Sequence, residues 1–151
     1  MAAEKSERLE STRLRTFCDR ICQGHVRQLE SRQIAWSLDV DAELHACVPQ
    51  KCVTQILNWC IADALDAMEQ GGHLDLTVVP VEGGIEIEIA DSRETFPSRA
   101  SVRLLQHEGM RIDAIRCPQG GWARTVFIPD TAAAQEPNSG STPQYGWRRA
   151  A

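Results

Sequence analysis

Between Val53 and Met68 the apolar residues Val53, Ile56, Leu57, Cys60, Ile61, Ala64, Leu65 and Met68 recur at three- and four-residue intervals. That period puts them on one face of a helix, predicted over Gln50 to Gln70 and stopped by Gly71-Gly72. On either side the period drops to two. Ile34-Ala-Trp-Ser-Leu-Asp-Val alternates apolar and polar residues and predicts a strand, with a second, short strand at Leu44 to Val48 and a turn over Asp39 to Glu43. Leu74 to Val81 and Ile85 to Ala90 read as two more strands. Their connection, Glu82-Gly83-Gly84, is short enough only for an antiparallel hairpin. Ile85, Ile87 and Ile89 face one way and Glu86 and Glu88 the other, the pattern of a sheet with one buried face. A short helix is predicted from Ser98 to His107, carrying Val102, Leu104 and Leu105 and ended by Gly109. Met110 to Cys117 and Trp122 to Ile128 form a last antiparallel pair across Pro118 to Gly121.

Ahead of these elements, Glu4 to Arg32 is rich in Glu, Arg, Gln and Leu and predicts one long first helix. Leu14, Phe17 and Ile21, continued by Cys18, Cys22 and Leu29, make an apolar stripe along it. Such a stripe needs a partner, either the rest of this chain or a second copy. The expectation is that residues 1–33 form a helix for dimerisation or docking through Leu14, Phe17 and Ile21, ahead of a domain over 34–129. From 130 to 151 the composition shifts to Ala, Pro, Ser, Gly and Gln, which predicts a flexible tail. Strand pairs alternating with single helices imply an α/β protein, a two-layer sandwich whose mixed, mostly antiparallel sheet carries helices on one face.

The 151 residues suit one domain, and 42% hydrophobic with 25% charged residues excludes disorder and fibrous repeats. A net charge of −5 disfavours nucleic acid and anionic membrane as partners. No apolar run approaches the roughly 18 residues of a membrane span, and the charged N-terminus lacks a secretory pattern, so a cytoplasmic setting is expected. The six cysteines are then reduced thiols. Cys18, Cys22 and His25 share one helix face, but no fourth ligand accompanies them and no metal is assigned there.

Val53 to Gly72 resembles the N-box helix of the histidine-kinase ATP-binding domain, of the superfamily that includes gyrase, MutL and the ninety-kilodalton heat-shock chaperones. Ile85-Glu-Ile-Glu-Ile-Ala-Asp-Ser-Arg-Glu-Thr-Phe-Pro97 resembles the strand and loop of that family's Asp-x-Gly-x-Gly motif, and Gly120 to Pro129 its closing strand. The resemblance spans roughly residues 34–129 and implies a Bergerat-type fold with ATP and magnesium as possible ligands. It places Asp63 where the family's Asn coordinates magnesium, with Trp59 one turn earlier and Asp66 completing that face. It places Asp91 where the family's aspartate accepts the adenine amino group.

Three departures accompany it. Asp63 adds negative charge beside a triphosphate. Arg93 and Thr95 stand at the motif's two glycines, so either the loop has another shape or the adenine pocket is filled. The lid and the glycine-rich phosphate cradle have no counterpart. The expectation is a degenerate, noncatalytic signalling module that docks a response regulator or a kinase, with ATP bound no tighter than roughly 0.1 mM. Two alternatives remain open. One is a working ATP- and magnesium-binding domain using Asp63 and Asp91, and the other a phosphotransfer protein that carries phosphate on His25.

Overall fold

The computed structural model describes residues 10–95 and 109–130. Their order is β1 (Glu10–Arg13), α1 (Leu14–Gln23), α2 (Val26–Ser31), β2 (Ile34–Val40), β3 (His45–Val48), α3 (Gln50–Met68), β4 (Gly72–Val81), β5 (Gly84–Asp91), β6 (Arg111–Arg116) and β7 (Trp122–Pro129). Five strands form a sheet in the order β2-β4-β5-β7-β6, in which β2 runs parallel to β4 and every other pair is antiparallel. The helix and tail expected at 98–107 and 130–151 lie outside the described residues, apart from Asp130.

The helical period of α3 becomes its buried face. Cys52, Val53, Ile56, Leu57, Cys60, Ile61, Ala64 and Leu65 are buried, and they meet Leu74, Leu76, Val78, Ile85, Ile87, Ile89, Val126 and Ile128 from the sheet in one cluster. Each fully buried Leu or Ile contributes about 1.5 to 3 kcal/mol, so this layer contact is the main source of cohesion. The helix ends at Met68, and Gly71 donates its N–H to the Arg32 carbonyl at 2.7 Å before the chain enters β4. The β4–β5 hairpin turns at Glu82-Gly83, in register Val81↔Gly84.

The N-terminal segment departs from the expected long helix. Glu10 to Arg13 is a strand, paired antiparallel with β3 from Glu10↔Val48 to Arg13↔His45. Backbone pairing there outweighs the weak helical preference of the side chains, and Gln50 Nε2 donates to the buried Thr12 hydroxyl at 2.8 Å. The helix then breaks at Gly24-His25 into α1 and α2. As a result β3 pairs with β1 and not with β2, which lies beside β4 with Ile34↔Gly72 through Val40↔Val78.

The apolar stripe also finds its partner inside the chain. Leu14, Cys18, Ile21, Cys22 and Leu29 are buried in the same cluster as α3 and the sheet, and Phe17 packs against it half-buried. Of the side chains expected to form a dimerisation or docking surface, Leu14 and Ile21 are thus packed into this chain's own core, with Phe17 half-buried at its edge.

Candidate functional site

At the carboxyl end of β5, the alternation that buries Ile85, Ile87 and Ile89 brings Asp91 to the same inward face, level with Trp122 of β7. The chain can pass this point closely because Gly121, at φ +85°, lies against the Asp91 carbonyl, where a Cβ would overlap the oxygen. Beyond Asp91 the backbone turns, with the Arg93 N–H donating to Asp91 Oδ1 at 3.0 Å.

That turn sends the Arg93 side chain back over Asp91. Its Nε donates to both carboxylate oxygens at 2.9 Å, and its Nη2 donates to Oδ2 at 2.7 Å. Its Nη1 reaches across to α3 and donates to Asp63 Oδ2 at 2.7 Å. Arg124 of β7 approaches the same oxygen, Nη2 donating at 2.7 Å, and also donates to the Cys60 carbonyl at 3.3 Å. The Arg124 guanidinium lies 5.1 Å from the centre of the Trp59 ring, a cation–π contact. Two carboxylates and two guanidinium groups thus form one neutral network between α3, β5, β7 and the loop after β5.

Its interior is closed to bulk solvent. The Arg93, Asp91 and Arg124 side chains are 1%, 2% and 2% exposed, and Asp63, at 22%, is its open edge. Burial works against the Arg93 charge, but hydrogen bonds to Asp91 and Asp63 and their negative charges outweigh it, and the arginine pKa lies above its ordinary value. Burial pushes the Cys60 thiol up to about 11, with the Arg124 charge opposing. Arg124 Nη1 is buried with no hydrogen-bond partner among the described residues.

Among the expected site residues, Asp63 and Asp91 are brought together through Arg93. Asp66 is not: its side chain is 82% exposed, and its ionic neighbour is Arg32 at 3.7 Å. Thr95 is exposed in the loop. His25 Nε2 shares a hydrogen bond with Asn58 Oδ1 at 2.9 Å, while Cys18 and Cys22 are buried in the core. Among the described residues no three His, Cys, Asp or Glu side chains converge as a metal site. No disulfide links any of the six cysteines, all of which are described. No described helix is long and apolar enough to cross a membrane.

Sequence reasoning passed over Arg124. The signal was present in the inward series Trp122, Arg124, Val126 and Ile128, where one charged residue on a buried strand face requires a buried counter-charge.

No family model matches this chain, and no curated protein matches it. Solved structures do. The nucleotide-free catalytic domain of histidine kinase ThkA matches with a TM-score of 0.71 at 11% identity, over 82% of this chain and 96% of that one. ThkA in complex with the response regulator TrrA matches at 0.70 and 14% identity, over 83% of this chain and 42% of that one. Full-length ShkA in complex with AMPPNP matches at 0.69 and 17% identity, over 83% of this chain and 32% of that one. With its five-stranded mixed sheet and helical layer, the chain has the fold of the histidine kinase catalytic, ATP-binding domain.

Proposed function

We propose that this chain is a two-component-type signalling module whose kinase-like fold no longer binds nucleotide tightly and acts through contact with another protein. The observation that carries the reading is the pairing of Arg93 with Asp91. By the family resemblance, Asp91 is the acceptor for an adenine amino group and Asp63 the neighbour of magnesium. Both oxygens of Asp91 instead accept N–H groups from Arg93, and Asp63 Oδ2 accepts from two arginines. A magnesium ion at Asp63 would meet two fixed positive charges. The side chains, as arranged, do not fit magnesium-bound ATP.

The energetic cost supports the same reading. Displacing Arg93 breaks a buried ion pair, which costs about 3 to 5 kcal/mol. The lower figure alone weakens an otherwise micromolar ligand to roughly 0.1 mM. A cytoplasmic partner, a response regulator or a kinase, is the expected target; ThkA has been solved with a response regulator, TrrA.

Calorimetric titration of the unmodified chain with ATP and magnesium tests the reading. The expected result is no saturable binding below roughly 0.1 mM. Binding at low micromolar ATP that is lost in Asp91→Asn would overturn it in favour of a working nucleotide site.

A further inference from the structure

We propose that the Asp91 and Asp63 carboxylates form a binding site for a guanidinium or amidinium group, which the chain fills with its own Arg93 and which takes a free cation of that class once Arg93 is removed. The inference goes beyond the loss of nucleotide binding and is tested by a different ligand on a different variant.

The contacts are those of edge recognition. One carboxylate takes the Nε–Nη2 edge of the planar cation, at 2.7 to 2.9 Å, and the other takes Nη1 at 2.7 Å. All three nitrogens are held. Ammonium has N–H donors but not the planar fork that sets two of them against both oxygens of one carboxylate, whereas urea offers similar N–H donors without the charge. Shape and charge together define the ligand class.

Burial makes the position demanding. With Asp91 2% exposed, truncation of Arg93 leaves its carboxylate enclosed without the cation that satisfied both oxygens. Asp63, 22% exposed, is the side from which a small cation can enter. The turn that carries Asp91 keeps one contact without the arginine side chain, since the backbone N–H of residue 93 donates to Asp91 Oδ1. The competitor is Arg124, whose Nη1 is buried with no partner among the described residues. Its guanidinium is held in place by the Cys60 carbonyl at 3.3 Å and the Trp59 ring at 5.1 Å, which favours an external ion over a shift of this side chain.

The test is thermal unfolding of Arg93→Ala, followed by circular dichroism, in guanidinium or acetamidinium chloride at millimolar concentrations and constant ionic strength. A ligand that binds only the native state raises its midpoint in proportion to the logarithm of concentration, here by about 3 °C or more at the top of the range. The unmodified chain shows no such rise, and Asp91→Asn introduced into Arg93→Ala abolishes it. Should Arg93→Ala not fold alone, refolding from urea with and without acetamidinium replaces the melt, and recovery only with the ion supports the site. No rise, no recovery, or an equal effect of ammonium or urea overturns the proposal, with Arg124, already on Asp63, or solvent then satisfying the Asp91 carboxylate.

Discussion

Arg93 stands two residues beyond Asp91 and folds back onto it, so that Nε and Nη2 of one side chain hold both carboxylate oxygens of the other at 2.7 to 2.9 Å. So short a loop can close such a contact because the backbone N–H of residue 93 is tied to the same carboxylate. The consequence extends beyond the pair. Through Asp63 the arginine links the loop after β5 to α3, and through Asp63 again α3 is linked to Arg124 of β7. The four charged side chains thus tie this end of the sheet to α3.

Arg93→Ala is expected to lower the unfolding free energy by about 3 to 5 kcal/mol, since it leaves Asp91 buried without its cation. Asp91→Asn alone is expected to cost a similar amount, for the opposite charge. The double variant Asp91→Asn with Arg93→Ala removes both charges, and its loss is expected to be well below the sum of the two. Urea unfolding of the three variants in a double-mutant cycle measures this coupling, and strict additivity would contradict it.

Gly121→Ala and Gly83→Ala separate backbone strain from steric overlap. Both glycines have positive φ, +85° and +82°, but a Cβ at Gly83 meets nothing within 4 Å, while one at Gly121 overlaps the Asp91 carbonyl. Gly83→Ala is expected to cost about 1 kcal/mol from conformation alone, and Gly121→Ala about 2 kcal/mol or more. Equal losses in urea unfolding would argue against the close passage of β7 and β5 at the site.

The buried thiols make stability fall in alkali. Burial, with the Cys22 charge adding to it, raises Cys18 from 9.0 to about 12. Burial raises Cys22 and Cys60 from 9.0 to about 11, the Asp19 charge adding at Cys22. Above pH 9 the unfolded chain therefore releases protons that the folded chain retains. The stabilisation is complete below pH 9 and is lost as pH rises through about 11 to 12. Urea unfolding at pH 8, 10 and 11 is expected to show this decline, shallower in Cys18→Ala. A thiol reagent at pH 8 is expected to modify the exposed Cys47 in the folded chain, and Cys18, Cys22 and Cys60 only after unfolding.

Ile21→Glu tests where the N-terminal stripe is packed. Ile21 is 7% exposed and belongs to the cluster shared by α3 and the sheet. The substitution is expected to lower stability by about 3 kcal/mol or more, as for a charge without a partner in a core. Sedimentation and denaturant unfolding together give the readout. A stable, folded Ile21→Glu chain that had merely changed from dimer to monomer would return the stripe to an intermolecular role.

The period of α3 and the alternation of β5 were legible because each records a local choice of which side faces the core, and burial enforces that choice at every turn. The same holds for the β4–β5 connection, whose length admits only a hairpin. Element order was then enough for the sandwich. Glu10 to Arg13 was different: its residues favour helix weakly, and only the distant backbone of His45 to Val48 makes it a strand. For Leu14, Phe17 and Ile21 the sequence determined that a stripe must be covered, and tertiary structure decided that α3 and the sheet cover it. At the site, the sequence placed Arg93 at a glycine position and left two outcomes, another loop shape or a filled pocket. The contacts that bear on them span 30 and 61 residues, from Arg93 and Arg124 to Asp63. No local pattern encodes such contacts, because a charge on a buried face states only that it needs a partner, and the packing of α3 against β5 and β7 supplies which one.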